Sequence, residues 1–236
     1  MPIRRGEESQ EIQHKLAVMF YHKDLKNKYQ RRWMDKCVSS IENQSYKDYD
    51  VFELNYSSTN TDTLTDLIDR ATAFPNKHFI IYKPLNNHVD AMNYLLDYIF
   101  TKHSYTAVAN TNVDDFYHSN RLVKQLEEIK NGWELVSTNF LHIRENEKLQ
   151  DQIIHACKFD QLNIKEELNK DNNILCHPSI MYSKTFYEKF GPSPYKGSPP
   201  TEDIDLWKYA INNGAKMFII PEYLCYYRRH SAQICK

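Results

Sequence analysis

Apolar positions in the first half of the chain switch between two periods. Residues 16–21 (LAVMFY) form a short apolar run suited to a buried strand, and Tyr29, Trp33, Cys37 and Ile41 then recur every four residues on one helical face. Residues 50–54 (DVFEL) predict a second strand. It ends in the polar stretch 55–60, whose small side chains favour a turn and can cap the helix supplied by Leu64, Leu67, Ile68 and Ala71. Residues 78–82 (HFIIY) predict a third strand, and Val89, Met92, Leu95, Leu96 and Ile99 the next helix. An alternating segment, 105–109, is a fourth strand, and Leu122, Leu126 and Ile129 a further helix. Strands alternating with helices of this length imply right-handed crossovers and a largely parallel sheet from residue 16 to about 130.

Beyond Gly132 the rhythm loosens. A strand is expected over 134–140, then a polar segment rich in Lys, Asn and Glu, and a helix between 152 and 168. Residues 174–182 (ILCHPSIMY) read as a strand in which Pro178 marks an edge or a bend. The loop 195–201, with Gly197, Pro199 and Pro200, should be exposed. Ile204, Trp207, Ala210 and Ile211 give a short helix that Gly214 is placed to end, and residues 216–220 and 223–227 predict two final strands. No repeat or linker interrupts this order. The chain is therefore read as an N-terminal extension (1–15) and a single α/β domain (16–236) with halves 16–131 and 132–236.

Length and composition narrow the function classes. A chain of 236 residues with 41% hydrophobic content can bury a sizeable core. Thirty basic and thirty-one acidic side chains leave a net charge of −1, so nucleic acid is not the default partner. No window approaches the roughly 18 uninterrupted apolar residues of a membrane span, and residues 1–15 lack the apolar core of a secretory signal. The expectation is a soluble protein, cytoplasmic or peripheral to a membrane, without a transmembrane segment. Five widely spaced cysteines without a CxxC pair argue against a disulfide framework or a zinc site. With no glycine between Gly6 and Gly132, a Gly-rich phosphate loop is absent from that half.

Candidate chemistry concentrates at two acidic pairs. Asp114 and Asp115 fall where a strand ends and a helix has not begun, which is where open α/β sheets bind ligands. Adjacent carboxylates repel unless one is protonated or a cation lies between them, so a divalent metal is one explanation. The other is an acidic helix start, with a helix from about residue 117. Glu202 and Asp203 allow the same two readings, helix start or reactive carboxylate.

Five stretches also occur in a telling order: SIENQSYKDYDVFEL at 40–54, the Asp pair followed by Arg121 and Leu122, HPSIMYSKTFYEKFG at 177–191, EDIDLW at 202–207 and LCYYRRH at 224–230. In that order the chain resembles family 2 glycosyltransferases over about residues 16–230. The resemblance implies the GT-A fold: a Rossmann-like, mostly parallel sheet flanked by helices, with a nucleotide-sugar-binding half (16–131) and a smaller, mixed, acceptor-binding C-terminal part (132–236). It implies that Asp114 contacts the ribose or nucleoside and that Asp115 ligates Mn²⁺ or Mg²⁺ on the donor diphosphate. Tyr21 and His22 stand where the family faces the nucleobase. Asn55 and Asn112 stand where relatives carry Asp, and Met92 where they carry Arg. Arg228 and Arg229 are suited to the pyrophosphate, because guanidinium groups bind phosphate oxygens in bidentate fashion. Asp203 matches the catalytic base of inverting enzymes, His230 a late metal ligand, and His177, Glu202 and Trp207, with Tyr195, an acceptor wall; core packing is the expectation for Phe186.

The activity so implied is metal-dependent, inverting transfer of a sugar, of hexosyl or N-acetylhexosaminyl type, from a nucleotide diphosphate sugar, a UDP-sugar before others. The acceptor would be a glycan, a lipid-linked molecule or a protein. The alternative is a degenerate, non-catalytic sugar-nucleotide or glycan-binding module, motivated by Asn55, Met92 and Asn112.

Overall fold

The computed structural model describes residues 15–68 and 71–231. The expected extension, residues 1–15, lies outside the described residues except for Lys15.

Strand β1 (Leu16–His22) is central to the first half. It pairs in parallel with β2 (Tyr49–Asn55) on one side and β4 (Ala107–Thr111) on the other, and β3 (His78–Tyr82) extends the sheet beyond β2. Leu16, Val18 and Phe20 point into one apolar layer, with Cys37 and Ile41 of α2 (Arg31–Glu42) and Leu122 of α5 (Arg121–Lys130). Ala17 and Met19 point into the other, with Leu95 and Ile99 of α4 (His88–Lys102). A parallel strand covered on both faces must be apolar at consecutive positions, which is why LAVMFY reads as an unbroken run. Local signals set the helix starts. Asn87 accepts the Asp90 N–H (3.0 Å) at the start of α4, and Thr63 forms a capping box with Asp66 at α3 (Leu64–Leu67). Met92, where the family resemblance expects Arg, is fully buried in this second layer.

The second half continues the same sheet in mixed fashion, in the order β3-β2-β1-β4-β8-β6-β9-β5. β8 (Met181–Ser183) is antiparallel to both β4 and β6 (Leu135–Glu145), β9 (Met217–Arg228) runs parallel to β6, and the short β5 (Phe116–Tyr117) pairs with β9. Cys37, Cys157, Cys176 and Cys225 are free and buried; Cys235 lies outside the described residues.

Five expectations for secondary structure need correction. The segment 152–168 does not form one helix: residues 151–157 form β7 (Asp151–Cys157), a hairpin with β6, and only α6 (Ile164–Asn169) is helical. The Asn146 side chain closes the hairpin by accepting the N–H groups of Lys148 and Gln150 (2.9 Å each), with Leu149 left-handed at φ 59°. The span 174–182 is strand only at its end, because Pro178 falls in a 3₁₀ turn over His177–Ser179. The two expected C-terminal strands are one, with register shifts against β6 on either side of Asn139. The helix at 64–71 stops at Leu67, and that expected from about 117 begins at Arg121 with no acidic residue in its first turn. The Asp114–Asp115 pair is therefore not a helix start.

Candidate active site

Asn112, Val113, Asp114 and Asp115 form the turn between β4 and β5, at the carboxyl end of the sheet. The turn is held from below: the Asn112 N–H donates to Tyr117 Oη (3.0 Å), and the Cys37 thiol donates to the Asn112 carbonyl (3.1 Å). Opposite stands the first turn of α8 (Glu202–Asn212), reached from β4 through Asn110, whose amide donates to the His177 carbonyl (2.9 Å). Between these walls lies a cleft of about 180 Å³ lined by Tyr21, Tyr29, Tyr56, His88, Asn112, Asp114, His177, Glu202, Asp203, Tyr227 and His230, among others. At the ends of β1, β2 and β3 a second basin of about 510 Å³, lined by Lys23, Ser57, Thr59 and Asn86, shares Tyr56 with it.

The two adjacent carboxylates have different surroundings. Asp114 lines the cleft, and its Oδ2 lies 2.9 Å from His230 Nε2. Asp115 is 1% exposed; its Oδ1 accepts the Arg228 N–H (2.7 Å), and its Oδ2 is buried with no hydrogen-bond partner among the described residues. Burial and the neighbouring Asp114 push the Asp115 carboxyl well above the usual range. No group of three or more His, Cys, Asp or Glu side chains converges on a metal-sized point among the described residues. The donor set nevertheless fits one divalent cation completed by ligand oxygens: a cleft-facing carboxylate, an imidazole beside it and an orphaned oxygen behind.

At the opposite wall, Asp203 is half-buried, with Oδ2 accepting from Asn173 Nδ2 (2.9 Å) and Oδ1 accepting the Ile204 N–H (2.7 Å). Asp203 is thus both part of an acidic helix start and a cleft-lining carboxylate. Glu202 Oε1 pairs with His88 Nε2 (2.6 Å), while Oε2 is buried without a partner among the described residues. Burial raises the Glu202 carboxyl, but the bond from His88, the residue's own backbone N–H and the charges of His88 and His177 together outweigh it and hold the group below its ordinary value. His177 bonds Tyr195 Oη through Nε2 (2.8 Å), and burial lowers its proton affinity.

Other expected site residues are placed differently. Trp207 is fully buried, with its ring 6.0 Å from Tyr195 and 6.1 Å from His177; it lies on the inner face of α8 with Leu206 and Ala210 and backs the α8 wall of the cleft instead of lining it. Phe186 is core, as expected. His22 is spent on Glu53 (2.8 Å), and Asn55 on the turn it heads, accepting the Ser57 N–H and donating to the Asp62 carbonyl (2.9 Å each). Both are 1% exposed, so neither faces the cleft. Arg228 is buried against Asp151 and donates through Nε to the Asp114 carbonyl (2.9 Å), leaving Arg229 as the accessible guanidinium of the pair. Tyr21 does line the cleft, donating to Asn112 Oδ1 (3.3 Å). The sequence assigns no site role to Tyr29, Tyr56, His88 or Asn173. For Tyr56 a signal existed, since it directly follows the end of β2.

The sequence model described as glycosyl transferase family 2 matches residues 25–191. The chain belongs to this family. It is similar to the O-antigen biosynthesis glycosyltransferase WbnJ of Escherichia coli, 27% identical over 205 residues that cover 85% of this chain and 76% of WbnJ. In three dimensions the glycosyltransferase domain is similar to S. aureus TarS 1-349 (TM-score 0.59, 13% identity, 91% of this chain) and to the same protein in complex with UDP-GlcNAc (TM-score 0.63, 9% identity, 93% of this chain). The chain spans 60% of the length of those TarS chains, and at this identity the likeness concerns the fold, a mixed α/β sheet flanked by helices as in GT-A glycosyltransferases. No helix among the described residues is long and apolar enough to cross a membrane. The family match ends before Asp203, so the role of that residue rests on its place in the cleft.

Proposed function

We propose that this family 2 glycosyltransferase moves a sugar from a nucleotide diphosphate sugar, a UDP-sugar, to an acceptor hydroxyl with inversion, and that Asp203 is the general base. The observation that carries the reading is that Asp114 and Asp203, far apart in sequence, line opposite walls of one cleft. Transfer with inversion needs a carboxylate on the acceptor side to take the hydroxyl proton as oxygen attacks the anomeric carbon, and positive charge at the other side for the departing diphosphate. Asn173 and the Ile204 N–H orient the Asp203 carboxylate for the first task. Asp114 and His230, with Asp115 behind them, are the residues that would hold Mn²⁺ or Mg²⁺, and a bound cation supplies the neutralising charge as a Lewis acid. The basin at Tyr56, Ser57 and Asn86 is suited to the nucleoside, and Arg229 to a diphosphate oxygen. The UDP and UDP-GlcNAc complexes of the similarly folded TarS support the choice of a uridine nucleotide.

The test is incubation with Mn²⁺ and a panel of nucleotide sugars, with donor hydrolysis and transfer as readouts. Asp203→Asn should reduce turnover by about 10²–10⁴-fold, the span expected for loss of a general base, and leave UDP affinity unchanged. Turnover that survives Asp203→Asn, or wild-type protein inert towards every donor, refutes the reading.

A further inference from the structure

On the Asp203 side of the cleft, a separate pocket of about 410 Å³ is formed by the chain leaving β7, by α6 and by residues 172–174. Two contacts tie it to the cleft. Asn173 lines the pocket, and its Nδ2 donates to Asp203 Oδ2 (2.9 Å). Phe140 links the two spaces, its ring 6.2 Å from that of Tyr227 in the cleft wall and 6.1 Å from that of Phe159 in the pocket wall. The lining consists mainly of amides and one ring. Asn173 spends an N–H on Asp203 and Asn172 one on Glu167 (2.8 Å), which leaves both side-chain carbonyls to accept. The exposed Asn163 amide has no hydrogen-bond partner among the described residues. A sugar hydroxyl is both donor and acceptor, and side-chain amides answer both needs. The half-buried Phe159 adds an aromatic surface on which the C–H face of a sugar packs. Charge does not favour an anion, since Asp160 and Glu167 line the pocket with a single cation, Lys158.

We infer that this pocket is an acceptor subsite for an uncharged oligosaccharide. One sugar unit is held through its hydroxyls by Asn163, Asn172 and Asn173 and packs on Phe159, while the next extends past Asn173 and presents its hydroxyl to Asp203. The acceptor then approaches from the side of the base, opposite the wall of Asp114 and His230 where the donor diphosphate departs. The inference deepens the proposed transfer and rests on it, because Asp203 is the base on that reading.

The test is calorimetric, on the full chain saturated with UDP and Mn²⁺. Lactose, N-acetyllactosamine and maltose are titrated as uncharged disaccharides, and lactobionate as an anionic one. At least one uncharged disaccharide should bind tenfold or more tightly than lactobionate. The double variant Asn163→Ala, Asn172→Ala should weaken that binding tenfold or more, the worth of about two hydrogen bonds, while holding UDP within twofold. Both positions are exposed, and the melting temperature is the folding control. Asn173 is kept, because it orients Asp203. The inference is overturned if no uncharged disaccharide binds the loaded protein, if lactobionate binds as tightly, if the disaccharides displace UDP, or if the double variant binds them as wild type does. Failure of wild-type protein to take up UDP refutes the donor reading instead, and the same double variant, titrated on the free protein, then decides the pocket.

Discussion

Replacing Glu53 by Gln should destabilise the protein by about 3 kcal/mol at neutral pH, and the loss should fade in acid. Glu53 is fully buried at the end of β2 and accepts three hydrogen bonds, from His22 Nε2 (2.8 Å), His78 Nε2 (2.8 Å) and the Leu64 N–H (2.6 Å). Burial alone would raise its carboxyl, but the bonds from the two imidazoles and the Leu64 amide outweigh it and hold the group near about 2, against an ordinary 4.5. At about 1.4 kcal/mol per unit, this difference corresponds to roughly 3 kcal/mol. Because the folded value lies below the unfolded one, the stabilisation is complete above pH 4.5 and is lost as pH falls towards 2. Glutamine keeps one acceptor and turns an N–H₂ towards groups that are donors themselves. Urea unfolding of both proteins, followed by tryptophan fluorescence at pH 7, 5 and 3, measures the gap. A gap below about 1 kcal/mol at pH 7, or one that does not narrow at pH 3, would refute the reasoning, since three lost bonds to a buried carboxylate cannot cost so little.

Three further outcomes can be checked. Asn173→Ala removes the 2.9 Å bond to Asp203 and should lower kcat about tenfold, equivalent to roughly 1.4 kcal/mol for one bond to a charged group, with UDP affinity unchanged in calorimetry. Trp207→Ala empties a fully buried site between Tyr195 and His177 and should cost about 3–5 kcal/mol in urea unfolding, whereas a true acceptor contact would instead raise the acceptor KM with little change in stability. Removing divalent cations with EDTA should weaken UDP binding at least tenfold and lower the UDP-induced rise in melting temperature, with Mn²⁺ restoring both; equal UDP affinity in EDTA would exclude the cation role given to Asp114 and His230.

The parts of the fold that are legible in sequence are those where burial against the core imposes a pattern. LAVMFY became β1 because a parallel strand covered on both faces is apolar at consecutive positions, DVFEL became β2 with its buried Asp50 and Glu53 matched by hydrogen bonds, HFIIY became the half-covered edge strand β3, and the α4 face repeats because half of that helix is core. Residues 151–157 were missed because that strand is largely exposed, so Ile153 and Ile154 carry no alternation, and the turn that closes the hairpin depends on the Asn146 side chain. Site residues followed a similar division. Asp114 and Asp203 are visible because each stands where the family resemblance places a functional carboxylate, but how the Asp pair shares its surroundings is not. Which carboxylate faces the cleft depends on Arg228, which arrives from the far end of the chain.

Arg228 also has a mechanical consequence. One buried side chain joins the Asp114–Asp115 turn, the end of β9 and the β6–β7 hairpin, through the Asp114 carbonyl, its own backbone N–H on Asp115, and Asp151. These three segments must therefore travel as one stiff body. Tyr29, which follows the four-residue α1 (Leu25–Lys28), and Tyr56, which opens a turn held by short polar side chains, line the same cleft without sharing that anchor.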